Sequence, residues 1–117
     1  MNICIIDDSK DITDLLRDYL LTSSIRCRVT TFNNPQTAIA YLLNSEETDV
    51  LITDMHMGNL SGFDVINALE KPATKMVISG HISNRELRAL EKMGIDFYDK
   101  PINIRKLMGA ITKSTTA

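Results

Sequence analysis

A chain of 117 residues fits one domain with a single core, so one module must carry whatever function there is. Its net charge of −2 argues against a broad electrostatic grip on nucleic acid, which needs clustered Lys and Arg. Cys4 and Cys27 form neither a C-x-x-C pair nor a dense framework, no apolar stretch approaches a membrane span, and Met1-Asn2-Ile3 does not open a secretion signal. The expectation is a soluble, cytoplasmic protein with two reduced, strand-borne thiols and no membrane partner.

Ile3-Cys4-Ile5-Ile6 is an apolar run that ends in Asp7-Asp8, the pattern of a buried strand leading into a polar turn. Ser9 is placed to cap a helix in which Ile12, Leu15, Leu16, Tyr19 and Leu20 recur at helical spacing, and Thr22-Ser23-Ser24 ends it. Ile25 to Phe32 is rich in β-branched residues but interrupted by Arg26 and Arg28, which suits an edge strand. Asn34 as cap and Pro35 at the first helical position start a second helix, with Ala38, Ile39, Leu42 and Leu43 facing inward. Val50-Leu51-Ile52 runs without polar alternation, as in a parallel strand covered on both faces, and stops at Asp54 before a glycine-punctuated loop.

Phe63, Ile66 and Leu69 mark a short third helix closed by Lys71-Pro72. Met76-Val77-Ile78 is a fourth strand ending in Ser79-Gly80. Ser83 or Asn84 caps a helix with Leu87, Leu90 and Met93 inward and Gly94 as its stop. Ile95 to Tyr98 is a fifth strand, Asp99-Lys100-Pro101 follows, and Ile104, Leu107, Met108 and Ile111 repeat with helical period. Residues 114–117 read as a frayed tail or the first residues of a linker.

Strands alternating with helices through short connections predict right-handed βαβ units, hence one α/β domain over 1–117 with a five-stranded parallel sheet and helices on both faces. Parallel strands point their ends the same way. If the first, third, fourth and fifth are neighbours, Asp7, Asp8, Asp54, Ser79 and Lys100 converge on one pocket. Three carboxylates repel unless something positive compensates, and Mg²⁺, which takes one or two carboxylates plus a phosphate, suits the inventory. Singly, Asp7 and Asp8 read as helix-capping acids and Lys100 as a solvated strand end. Jointly, coincidence is a poor account of them.

The combination resembles the receiver domain of two-component response regulators, over essentially the whole chain. The resemblance implies a doubly wound, flavodoxin-like sheet of order 2-1-3-4-5, an acidic pair Asp7 and Asp8 that holds Mg²⁺, and Asp54 as the phosphorylated residue and a metal ligand. It implies that Ser79 and Lys100 contact the phosphoryl group, that the backbone carbonyl of His56 completes the metal shell, and that a cis peptide precedes Pro101. Phe97 matches the aromatic whose rotamer follows the state of Ser79, although strand core is its plainer reading.

The expected function is a phosphoacceptor switch that catalyses its own phosphorylation and dephosphorylation without being a conventional turnover enzyme. It would receive phosphate from a sensor histidine kinase or histidine phosphotransfer protein and present residues 83–111 to a downstream protein or a second copy. The chain would be a stand-alone receiver or the amino-terminal part of a longer regulator. The resemblance has departures: Gly58 stands where proline is usual, and His56 and His81 flank the expected path of hydrolytic water. Four rival readings are weaker. A pseudo-receiver would not need the complete set. An aspartyl-phosphate hydrolase needs a second acid where His56 stands, a flavin carrier would not place Asp7-Asp8 at its phosphate turn, and a zinc site needs more than two histidines.

Overall fold

The computed structural model describes residues 1–115. Its elements are β1 (Asn2–Ile6), α1 (Lys10–Thr22), β2 (Arg28–Phe32), α2 (Pro35–Leu43), β3 (Val50–Asp54), β4 (His56–Met57), β5 (Leu60–Ser61), α3 (Gly62–Ala68), β6 (Thr74–Ser79), α4 (Asn84–Lys92), β7 (Asp96–Asp99) and α5 (Ile104–Thr115). The main sheet is parallel, in the order β2-β1-β3-β6-β7, which is the expected 2-1-3-4-5 counted over its five strands. Chain direction across the sheet reverses between β1 and β3. The crevice beyond the strand ends therefore opens there.

Alternation along the strands splits the core in two. Cys4 and Ile6 of β1 join Leu51 and Val77 on the face covered by Ala38, Leu42, Val65, Ile66 and Leu90. Ile3 and Ile5 join Val50, Ile52, Met76 and Ile78 on the face covered by Leu16, Leu20, Leu107 and Ile111. A strand buried on both sides has no polar face, which is why these runs lack alternation.

Several local expectations need correction. Ser9 sits at the N-cap of α1 but its side chain makes no cap hydrogen bond, whereas Asn34 Oδ1 accepts from the N–H groups of Gln36 and Thr37, and Ser83 closes a capping box with Glu86. Leu15, Tyr19, Leu43 and Met93 are exposed, and Thr13 is buried in α1 instead. Cys27 precedes β2 and is half-buried, while burial pushes the Cys4 thiol up to about 12. Both cysteines are free. Ser114 and Thr115, expected in the tail, lie in α5; the rest of that tail lies outside the described residues.

The largest correction is the segment after Asp54. It forms a small antiparallel hairpin, β4 with β5, turning through Gly58 at φ 67° and Asn59, and not an open loop. Gly62, at the hairpin's exit, donates its N–H to Met55 O at 2.7 Å. A Cβ on Gly62 would stand 2.7 Å from Asp54 O, so the chain approaches the strand end too closely for any side chain. Gly62→Ala is therefore expected to lower the unfolding free energy in urea by about 1–3 kcal/mol. Gly109→Ala, inside α5 with nothing within 4 Å of the added methyl, is expected to raise it by about 0.5–1 kcal/mol. A neutral Gly62→Ala would contradict the close approach.

Candidate functional site

Asp7 follows directly on β1, Asp54 ends β3, Ser79 ends β6 and Lys100 follows β7. Because β1, β3, β6 and β7 are successive neighbours in register, these groups meet at one edge of the sheet. Lys100 Nζ lies 2.8 Å from Asp7 Oδ2 and 3.3 Å from Asp54 Oδ2. The lysine backbone is anchored too, its N–H donating to Ser79 O at 3.1 Å, and a cis peptide joins it to Pro101. A Cβ at Gly80 would lie 3.6 Å from Lys100 Cβ, so the space beside Gly80 faces the lysine stem.

The carboxylates are held differently. Asp7 is fully buried; its Oδ1 accepts from the Ser9 N–H at 2.9 Å, and its Oδ2 is sealed from solvent with no well-directed hydrogen bond despite the nearby ammonium. Asp54 is buried, with Oδ1 accepting from the Met55 N–H at 2.7 Å. Asp8 is exposed. Carboxylate oxygens of Asp7, Asp8 and Asp54 all lie within 4.8 Å of one another. Three acids against one ammonium leave the cluster negative, and an unsatisfied buried oxygen points into it. That donor set fits a hard divalent cation.

Burial pushes the Asp7 carboxyl up, more than the Lys100 contact pulls it down. Burial works against the Lys100 charge, but the Asp7 and Asp54 carboxylates outweigh it and hold the ammonium above the ordinary lysine value. The lysine gains from the pairing; the aspartate bears the desolvation.

Ser79 is buried, and its hydroxyl donates to His81 O at 3.0 Å while accepting from the His81 N–H at 3.3 Å, so it is turned into its own loop. Phe97 is half-buried against the core cluster that includes Val77. His56 and His81 are exposed with rings 6.5 Å apart. His56 Nε2 lies 3.3 Å from Glu86 Oε1, tying the hairpin to α4. Glu86 is held below the usual carboxylate range first by the Ser83 N–H and further by His56. Sequence reasoning missed Glu86, as it missed Asn33, whose side-chain amide donates to Asp7 O at 2.8 Å. Glu86 carries one signal, the Ser83-x-x-Glu86 capping-box spacing, which marks the start of a helix and not a contact with His56; Asn33 carries none.

Comparison with known proteins shows the family and the fold. The family model described as the response regulator receiver domain matches residues 3–112. The two-component response regulator PprB of Pseudomonas aeruginosa is 26% identical over 96% of this chain and 42% of its own length. The DNA-binding transcriptional regulator NtrC of Proteus hauseri is 24% identical over 98% of the chain and 24% of its own length. The chain thus spans less than half the length of these relatives. Among solved structures, a response regulator receiver protein from Pseudomonas putida superposes with TM-score 0.83 at 25% identity, covering 96% of this chain and 95% of that one. A CheY-like receiver domain protein from Methanospirillum hungatei shares the flavodoxin-like fold at TM-score 0.82 and 21% identity, over 96% and 90%.

The raised Asp7 carboxyl fixes the sign of a pH effect. Folded Asp7 holds its proton more tightly than the unfolded chain, so acidification from neutral pH through its raised value toward 3.8 adds stability. Asp7→Asn lacks that gain. In chelator-treated buffer the Asn variant is expected to be the more stable at neutral pH, with the gap in urea midpoints closing on acidification. A gap that widens toward acid would contradict the assignment.

Proposed function

The chain belongs to the response regulator receiver domain family of two-component systems, and on that premise we propose that it is a phosphoacceptor switch with Asp54 as the phosphorylated residue. The observation that carries the reading is the position of Lys100 Nζ, 2.8 Å from Asp7 and 3.3 Å from Asp54, three residues brought together from three strand ends. Family membership implies a histidine kinase or a histidine phosphotransfer protein as donor. The downstream partner, a target protein or a second copy, would read α4, β7 and α5, roughly residues 83–111. A cytoplasmic location belongs to the same reading; no helix among the described residues is long and apolar enough to cross a membrane.

In the transfer, a carboxylate oxygen of Asp54 attacks the phosphorus of a phosphohistidine. The new P–O bond forms as the P–N bond breaks, and the electron pair leaves with the donor imidazole. Lys100 is placed to follow the charge onto the transferring oxygens. Asp7, Asp8, Asp54 and the His56 carbonyl would hold Mg²⁺, which when bound neutralises the acids and the incoming phosphoryl group. Attack of water on the phosphorus of the acyl phosphate breaks the Asp54 O–P bond and releases inorganic phosphate, so the domain catalyses its own phosphorylation and dephosphorylation without being a conventional turnover enzyme.

Signalling requires the Ser79 hydroxyl to leave His81 O and meet a phosphoryl oxygen. A charged hydrogen bond contributes about 1.5–3 kcal/mol. Moving a 1:99 equilibrium to 99:1 needs about 5.5 kcal/mol, so Ser79 alone does not throw the switch. Lys100, Phe97 repacking and partner binding share it.

Incubation with Mg²⁺ and a small phosphodonor is expected to add one phosphoryl mass to the wild type and none to Asp54→Asn, read by intact-mass spectrometry. Failure of the wild type to gain the mass would favour a non-phosphorylated binding module. His56 stands beside Glu86 with the His81 ring 6.5 Å away; replacing either by Ala is expected to change the phosphoryl lifetime severalfold, and lifetimes unchanged from wild type in both variants would remove them from that role.

A further inference from the structure

The acidic turn Asp7-Asp8-Ser9-Lys10 is held from outside by residues remote in sequence. Where β2 ends, Phe32 O accepts the Asp7 N–H at 3.1 Å, and the next residue, Asn33, donates its side-chain Nδ2 to Asp7 O at 2.8 Å. The same Nδ2 donates to Thr13 Oγ1 at 3.0 Å, and the Thr13 hydroxyl hydrogen goes to Lys10 O at 3.1 Å. The orientation of the amide is forced, because a backbone carbonyl only accepts. Both hydrogens of the amide are thus used, one on the turn and one on α1. Asp8 is exposed and its carboxylate makes no hydrogen bond or ion pair among the described residues, so the backbone of the turn is what sets the direction of its Cα–Cβ bond.

From these contacts we infer that Asn33 is a positioning residue for metal binding: through the Asp7 carbonyl and Thr13 it fixes the turn on which Asp7 and Asp8 present their carboxylates. The inference rests on the reading that this acid cluster holds Mg²⁺. Groups that orient metal ligands from behind commonly contribute about 10–100-fold in affinity. Asn33 acts on the backbone that carries two of the ligands.

Calorimetric titration with Mg²⁺ tests it. Asn33→Ala is expected to bind Mg²⁺ about 10–100-fold more weakly than wild type. Its phosphorylation by a small phosphodonor should be slow at limiting Mg²⁺ and return to the wild-type rate at saturation. Thr13→Val, which removes only the hydroxyl from the helix side, should weaken Mg²⁺ severalfold and add little to Asn33→Ala; it carries the test alone if Asn33→Ala proves unfolded in a urea titration. Affinity within twofold of wild type, or a rate that stays low at saturating Mg²⁺, overturns the inference. Wild-type protein that takes up no Mg²⁺ overturns the functional reading, and this inference with it.

Discussion

Two buried carboxylates, Asp7 and Asp54, face a single ammonium, that of Lys100. Water is excluded from Asp7, so the interaction is stronger than on the surface and the penalty for an unbalanced charge is larger. The arrangement is poised, since the lysine compensates only part of the negative charge. What it lacks is a further positive group, and on the proposed function that shortfall is what a divalent cation would fill before a phosphoryl group arrives. A neutral, well-packed site would be more stable and would accept neither.

The rest of the fold serves to hold these groups together. Hydrophobic strands buried on both faces cannot slide without exposing one face, so the register that places Ile6 beside Thr53 and Ser79 beside Asp99 is fixed by the core. The strand ends then arrive level. Behind Asp54 the backbone packs so tightly on Gly62 that no side chain fits between them. In front, the hairpin carries His56 toward Glu86 of α4, a physical link between the segment after Asp54 and that helix. Beneath α3, Lys75 Nζ donates to the Leu69 and Ile66 carbonyls and closes that helix's C-terminal end.

Element order and the strand-end acids were legible because each rests on a local pattern: an unbroken apolar run, then a carboxylate. Boundaries and faces were less so. Leu15 and Tyr19 have helical spacing but lie on the flank of the buried stripe that Thr13, Leu16 and Leu20 occupy, and periodicity alone does not separate flank from centre. Met57 and Leu60 face each other across a turn of only two residues, too short a strand pair to register as alternation. Asn33 carries no pattern of its own in the sequence; its contact depends on the end of β1, brought alongside from 26 residues away. The direction of the Ser79 hydroxyl depends on the conformation of its own loop, which no spacing encodes.

The central claim is that the buried Asp7 carboxylate is costly without the Lys100 ammonium beside it. A double-mutant cycle of Asp7→Asn and Lys100→Met, followed by urea unfolding in metal-free buffer, measures this directly. Lys100→Met alone should destabilise the protein markedly by leaving Asp7 and Asp54 uncompensated, and adding Asp7→Asn should recover much of the loss, a coupling above about 1 kcal/mol. Additive effects of the two substitutions would contradict the account.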